Sequence, residues 1–294
     1  MQRIVPNIWC RRNAVEVGDF YAGVFPNAAS EVTARYPQEG LLDFQRDFAG
    51  EPLVVDVTIR GHVIRLINAG EEFLPNPALS FLVNVDPADH GGDEQAALAE
   101  IDRLWHGLGE GGVVRIEIGE QPYSRRYGWV EDRYGVNWQL MYTETDAGEG
   151  NHLVPDFLFT TAEPRAREAI EFYTGLIQGS RIGQVIGKPE EPAGVMFADF
   201  TLAGQMFAAM DGGAEHEFTF TPGFSLEIAC DGQAEIDRLW EALSSVPEAE
   251  QCGWCMDRFG VSWQIVPANM GELMERPGAF ETMLAMKKLV IADF

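Results

Sequence analysis

Hydrophobic and polar positions fall into short blocks along this chain, and the blocks return in one order. Alternating or apolar runs of a few residues predict strands, and apolar residues three or four apart predict helices. Residues 3–10 read as a strand. Asn13 follows as the N-cap of a helix that carries Phe20, Val24 and Phe25 and stops at Pro26-Asn27. Strands are predicted at 30–35, 53–59 and 63–68, the last two joined at Arg60-Gly61-His62. After a break at Asn76-Pro77 the pattern restarts with a strand at 79–85. A helix over 93–108 has Ala97, Ile101, Leu104, Trp105 and Leu108 on one stripe, and Gly111-Gly112 ends it. Strands at 113–118, 127–130 and 137–142 complete the unit, so the first half is β-α-β-β-β twice over.

The second half repeats that order. Phe157-Leu158-Phe159-Thr160 matches the first strand, and Ala169-Ile170-Glu171-Phe172-Tyr173 matches the helix that holds Phe20-Tyr21. Ile101-Asp102-Arg103-Leu104-Trp105 recurs unchanged as Ile236-Asp237-Arg238-Leu239-Trp240. Asp132-Arg133-Tyr134-Gly135-Val136-Asn137-Trp138-Gln139-Leu140 recurs as Asp257-Arg258-Phe259-Gly260-Val261-Ser262-Trp263-Gln264-Ile265, with Asp, Arg, Gly, Val, Trp and Gln kept. A polar turn feeding an apolar run with Trp predicts a hairpin entering a buried strand. Two tandem domains of two β-α-β-β-β units each are therefore expected, at 1–146 and 154–294, with the polar, Gly-rich linker at 147–153. The second domain alone carries a tail after Pro267, with a helix-like stretch ending at Met286-Lys287-Lys288.

Composition changes this picture mainly by exclusion. A net charge of −25 repels phosphate backbones and anionic headgroups, so nucleic acid and membrane surfaces are not expected partners. No apolar run reaches the roughly 20 residues of a membrane helix, and Met1 is not followed by a signal-peptide core. Four cysteines do not make a disulfide scaffold, and a cytoplasmic location is expected.

Several pieces together resemble the PhnB-like branch of the glyoxalase/dioxygenase, or vicinal oxygen chelate, superfamily, often labelled 3-demethylubiquinone-9 3-methyltransferase-like. They are Gly253-Trp254 leading into residues 257–267, the Gly204-Gln205 turn with Asp211-Gly212-Gly213, and the Met286-Lys287-Lys288 tail. The resemblance implies an α+β fold of paired βαβββ modules, four in all, whose curled mixed sheets surround a cavity with the helices outside. It does not carry the methyltransferase label, because a nucleotide-shaped cofactor calls for a Gly-rich strand-to-helix turn and Gly109-Glu110-Gly111-Gly112 follows a helix.

Metal enzymes of that superfamily draw ligands from the first and last strands of their modules, often His, His and Glu. Matched by pattern, those positions fall near Pro6 and Pro155, at Ser80 and Ser225, and at Gln139 and Gln264. Proline has no side-chain donor and an amide is a poor ligand, so no metal and no other cofactor is expected, a divalent metal remaining the alternative. None of His62, His90, His106, His152 and His216 lies at these positions, and Glu215-His216-Glu217 reads as solvated surface. Strand alternation gives the expected ligand cavity: Ile8 and Cys10, Ser80, Leu82 and Asn84, Gln139, Phe157 and Phe159, Ser225 and Gln264. Trp138 and Trp263 then face the helices as core. Glu227 shares the inner face of its strand and is the candidate catalytic acid or base, among apolar neighbours that would raise its pKa. Cys252-Gly253-Trp254-Cys255 lies where the first half predicts a strand, which suits ordinary packing better than a redox pair.

Three functions follow as alternatives. The first is a protein that binds a small organic molecule in a mostly apolar cavity without a metal. The others are a metal-dependent lyase or dioxygenase and a non-catalytic interaction protein. The duplication can supply within one chain the pairing that single-domain relatives gain by dimerising, giving an internal pseudo-dimer that is a monomer or a homodimer.

Overall fold

The computed structural model describes residues 2–144, 152–191 and 193–294. Four units follow one another. The first is β1 (Ile4–Arg11), α1 (Ala14–Val24), β2 (Ala29–Arg35), β3 (Pro52–Ile59) and β4 (His62–Ala69). The second is β5 (Leu79–Val85), α2 (Glu94–Gly109), β6 (Val113–Gln121), β7 (Ser124–Glu131) and β8 (Asn137–Tyr142). The third is β9 (Leu153–Phe159), α3 (Ala166–Leu176), β10 (Arg181–Gly187), β11 (Val195–Leu202) and β12 (Gln205–Asp211). The fourth has β13 (Phe224–Cys230), α4 (Gln233–Leu243), β14 (Trp254–Met256) and β15 (Ser262–Pro267), and lacks the strand expected directly after its helix. Two short helices, α5 (Met270–Met274) and α6 (Ala279–Ala285), form the tail. The expected linker at 147–153 lies outside the described residues through 151, and β9 begins at Leu153.

The strands make two mixed sheets. One runs β14-β15-β13-β1-β4-β3-β2 and the other β10-β11-β12-β9-β5-β8-β7-β6. Each sheet therefore takes one unit from each half of the sequence, the first with the fourth and the second with the third. The joins are antiparallel, β1 to β13 with Asn7 opposite Ser225 and β5 to β9 with Ser80 opposite Asp156. The pairing that the duplication was expected to provide within one chain is thus made across the halves.

Helices cover one face of each sheet because their apolar stripes have nowhere else to go. Ala97, Ile101, Leu104 and Leu108 of α2 are buried, as the spacing predicts, and Ala14, Val17, Gly18 and Tyr21 of α1 lie against β2 and β3. Gly18 permits that approach, since a Cβ there would stand 2.3 Å from Ser30 Oγ. Among the described residues no helix is long and apolar enough to cross a membrane.

The repeated nine-residue segment is a buried clamp. Asp132 Oδ1 accepts from the backbone N–H of Tyr134 (2.8 Å) and Val136 (3.1 Å), and Oδ2 accepts from Tyr21 Oη (2.6 Å) and Trp138 Nε1 (2.8 Å). Asp257 repeats this with Phe259, Val261, Tyr173 and Trp263 at 2.8, 3.0, 2.6 and 2.8 Å. Gly135 and Gly260 close the turns at φ +87° and +89°, where a side chain is disfavoured. The clamp ties the helix of one unit to the last strand of the next, so it joins the two sheets. Trp138 and Trp263 are fully buried core, as alternation predicts.

The tail does what the missing strand does not. Cys252 and Gly253 donate their N–H groups to the carbonyls of Met286 (2.9 Å) and Lys287 (2.7 Å) beside β14. At the far edge of the same sheet Phe280 packs with Tyr36 and Phe48 in a separate apolar cluster. Because β14 and β2 are opposite edges, the tail reaches from one edge of that sheet to the other. Cys252 sits in the turn before β14 at φ +51° and Cys255 within it, and burial raises both thiol pKa values.

Candidate functional site

Pleating decides which residues can meet on the concave face away from the helices. On β5, Phe81, Val83 and Val85 join the main core, whereas Leu82 joins a small cluster with Val154 and Ala208, bordered by Met141, Phe197 and Met206. Ser80 and Asn84 share the face of Leu82. On β9 the alternation puts Phe157 and Phe159 in the main core and Val154 and Asp156 on the concave side. The expected first-strand positions are thus one residue early. Asp156, not Pro155, stands opposite Ser80, and Asn7, not Pro6, stands opposite Ser225. A slip of one residue exchanges the two faces of a strand. For the same reason Ile8, Cys10, Phe157 and Phe159 do not line a common cavity with Ser80, Leu82, Asn84 and Gln139, and lie on the helix side.

On the β5–β9 sheet four polar side chains converge under the apolar cluster. Gln139 Nε2 donates to Ser80 Oγ (2.9 Å) and to Asp156 Oδ2 (2.7 Å), and Tyr127 Oη donates to Gln139 Oε1 (2.6 Å). Asp156 is 1% exposed, and its Oδ1 is buried without a partner among the described residues. Burial pushes its pKa up to about 7, with the Gln139 hydrogen bond acting the other way. Met141 connects this cluster to a cleft of about 510 Å³ that Tyr123, Arg125 and Thr143 also line. Tyr123 and Tyr127 meet edge to face at 5.4 Å along the same route. Sequence reasoning missed Asp156, although one signal marks it: a carboxylate in a strand whose other six residues are Leu, Val, Pro, Phe, Leu and Phe, all buried.

The other sheet places different chemistry at the corresponding positions. Gln264 Nε2 donates to Ser225 Oγ (3.0 Å), but the place of Asp156 is taken by Asn7, of Leu82 by Glu227 and of Ala208 by Arg65. Glu227 does lie on the concave face beside Gln264, but its neighbour is a cation and not an apolar wall. Arg65 donates through Nη1 to Glu227 Oε1 (2.6 Å) and through Nε and Nη2 to Asp56 (2.8 and 3.0 Å). Burial raises the Glu227 pKa and Arg65 opposes that rise. An ion triad therefore occupies this face. Glu227→Gln is expected to cost about 1–2 kcal/mol, reduced by the residual exposure of Arg65. Arg65→Met with Glu227→Gln and Asp56→Asn should recover most of it in urea melts, and failure of that recovery would show that the triad is not acting as a unit.

Neither face presents a donor set that fits a divalent cation. Asp156 offers one carboxylate, Ser80 and Gln139 are neutral, and Gln139 turns its amide nitrogen to Asp156 because Tyr127 holds the oxygen. On the other face Asn7, Ser225 and Gln264 are neutral, and the carboxylates of Glu227 and Asp56 are taken by Arg65. Among the described residues no three His, Cys, Asp or Glu side chains converge as a metal site.

A family model described as 3-demethylubiquinone-9 3-methyltransferase matches residues 2–141 and 151–266. No curated protein matches the chain. Glyoxalase I from Zea mays covers 92% of this chain with 95% of its own length, at 12% identity and a TM-score of 0.51. A Bacillus subtilis protein described as a dioxygenase covers 97% with 90% of its own, at 11% identity and a TM-score of 0.50. The PhnB protein from Bacillus cereus is 26% identical over 48% of this chain and all of its own, with a TM-score of 0.39. The fold of this chain is the glyoxalase-like tandem fold across nearly its whole length.

Proposed function

This chain belongs to the 3-demethylubiquinone-9 3-methyltransferase family, and from that premise we propose that it binds a small, largely apolar organic molecule on the concave face of the β5–β9 sheet. Asp156 moves a proton there. The observation that carries this reading is the buried Oδ1 of Asp156, without a partner among the described residues, beneath Leu82, Val154 and Ala208 and next to an open cleft. Ligand sites join mostly apolar walls to a few convergent polar groups, and this face has both. Gln139, held by Tyr127 and Ser80, fixes the orientation of the carboxylate, as a positioning residue does for a general base. On the opposite sheet the matching position holds Asn7, which cannot ionise, and the Glu227 carboxylate is paired with Arg65.

Methyl transfer gains no support from the geometry. The glycines at 109 and 111–112 sit at the C-terminal end of α2, where no helix N-terminus faces a phosphate, and Gly232 stands alone before α4. A thermal-shift screen of uncharged and cationic fragments on the full chain tests the proposal. Hits should raise the melting temperature of the wild type and lose that effect in Leu82→Arg, which places a charge on the apolar wall. Hits that persist in Leu82→Arg and vanish in Glu227→Gln would move the site to the other sheet. Stoichiometric transition metal retained through dialysis, read by elemental mass spectrometry, would sink the metal-free mechanism.

A further inference from the structure

A second cleft, of about 310 Å³, lies at the end of β1 beside the start of α1. Its floor is Ile8, Cys10 and Val17, Trp9 and the half-exposed Leu74 stand at its side, and the repeated turn contributes Arg133 and Tyr134 to its rim. That volume is at the lower end of the range for ligand pockets, roughly 300–1,000 Å³.

The duplication supplies an internal control. Where the first half has Ile8, Cys10 and Tyr134, the second has Phe157, Phe159 and Phe259 at the matching positions of strand and turn. Those rings close on Phe220: Phe159 meets it at 5.1 Å, Phe157 at 6.2 Å, and Phe159 meets Phe259 at 6.2 Å. One half fills this space with aromatic side chains. The other has Ile8 and Cys10 on the strand and leaves it open.

The rim has a sign as well as a shape. Arg11 lines the cleft, is exposed, and has no carboxylate partner among the described residues, in a chain of net charge −25. Arg133 also lines it, its guanidinium over Phe20 at 4.7 Å, donating to the Glu110 carbonyl at 3.1 Å and paired with the exposed Glu110 carboxylate. Among the described residues Glu16 is the carboxylate on the rim, and its Oε1 accepts from Tyr134 Oη at 2.8 Å. Two guanidinium groups above an apolar floor match a small anion with an apolar body, since Arg recognises carboxylates through paired donors.

We propose that this cleft is a second binding site, taking a small apolar monocarboxylate whose anionic end meets Arg11 and Arg133 and whose body rests on Ile8, Cys10, Val17 and Leu74. It is independent of the concave-face site, with which it shares no residue.

The probes are benzoate, benzamide and benzylamine, matched in shape and differing in charge, titrated into the full chain by calorimetry at low and high salt. Benzoate should bind once per chain and weaken as salt rises. Benzamide should bind at least about tenfold more weakly, and benzylamine not measurably. Arg11→Ala should weaken benzoate about tenfold, the loss of one charge-assisted contact, with Arg11→Lys recovering part of it. Cys10→Phe, which copies the second half, should abolish binding. Should that variant fail to fold, Leu74→Trp at the half-exposed rim closes the same space. Asp156→Asn and Leu82→Arg should leave benzoate affinity unchanged. Equal binding of benzamide, preference for benzylamine, two sites per chain, an unaffected Arg11→Ala, or a benzoate Kd weaker than about 10 mM would each overturn the assignment.

Discussion

Asp257→Ala is expected to leave little folded protein, and Asp132→Ala to do nearly as much damage. Each aspartate accepts four hydrogen bonds, two from backbone N–H groups of its own turn, one from a tyrosine on a helix and one from a buried tryptophan. Truncation strands all four donors. Each buried donor left unmade costs about 1–3 kcal/mol, and the backbone groups recover part of that by reaching water, so a loss of about 4–5 kcal/mol is expected. A typical domain has only about 5–15 kcal/mol in total. Asp257→Asn should lose about half as much, because one oxygen still serves the turn while its NH₂ faces Tyr173 and Trp263. Tyr173→Phe should lose about 1 kcal/mol, since the ring packing of Tyr173 against Trp263 at 5.4 Å survives. Urea unfolding followed by circular dichroism ranks the three. An Asp257→Ala protein within 1 kcal/mol of the wild type would show that the duplicated segment is kept for something other than this clamp.

The clamp also explains why so much of the architecture was legible in the sequence. A repeated Asp, Gly and Trp at fixed spacing is a local device, and local devices survive translation from sequence to structure. The stripe on α2 and the core position of Trp138 and Trp263 were readable for the same reason, because periods of 3.6 and 2 report which side is buried. The first strands were not readable that way. Every residue of β9 is buried, so apolar character does not alternate, and the faces of Pro155 and Asp156 cannot be told apart without the partner strand. Pairing with β5 settles it by setting Ser80 against Asp156. Non-local geometry hid the rest. Asp56 and Arg65 face each other across the β3–β4 hairpin, but Glu227 is distant in sequence and meets Arg65 only because the first and fourth units share a sheet. Nothing in the spacing of the tail indicates that α6 reaches from β14 to the neighbourhood of Tyr36. Glu227 lies beside Gln264, and the alternation of its strand shows its own neighbours and not the arginine two strands away.

Asp156 then carries the second large prediction, and its sign is opposite to that of the clamp. Its pKa rises from 3.8 to about 7 on folding because burial disfavours the charge. Below about pH 4 folded and unfolded chains both hold the proton, and the group is neutral to stability. Between about pH 4 and 7 the unfolded chain releases its proton first, so stability falls as pH rises. Above about pH 7 the deficit is constant, on the order of 4 kcal/mol from a shift of about three pH units at 1.36 kcal/mol each. Asp156→Asn keeps the shape and cannot ionise. The variant should therefore match the wild type near pH 4 and exceed it by about 2–4 kcal/mol near pH 8, in melts taken across that range. Parallel curves for the two proteins would mean that Asp156 ionises in the folded state as easily as in water, and the proton-transfer role would lose its basis. A gain in stability accompanied by retained binding and lost turnover is the pattern of a group held at a site for its chemistry. Gln139→Leu supplies the complementary test. It removes the only partner of the carboxylate among the described residues, so the pKa of Asp156 should rise further and the pH at which stability stops falling should move up with it.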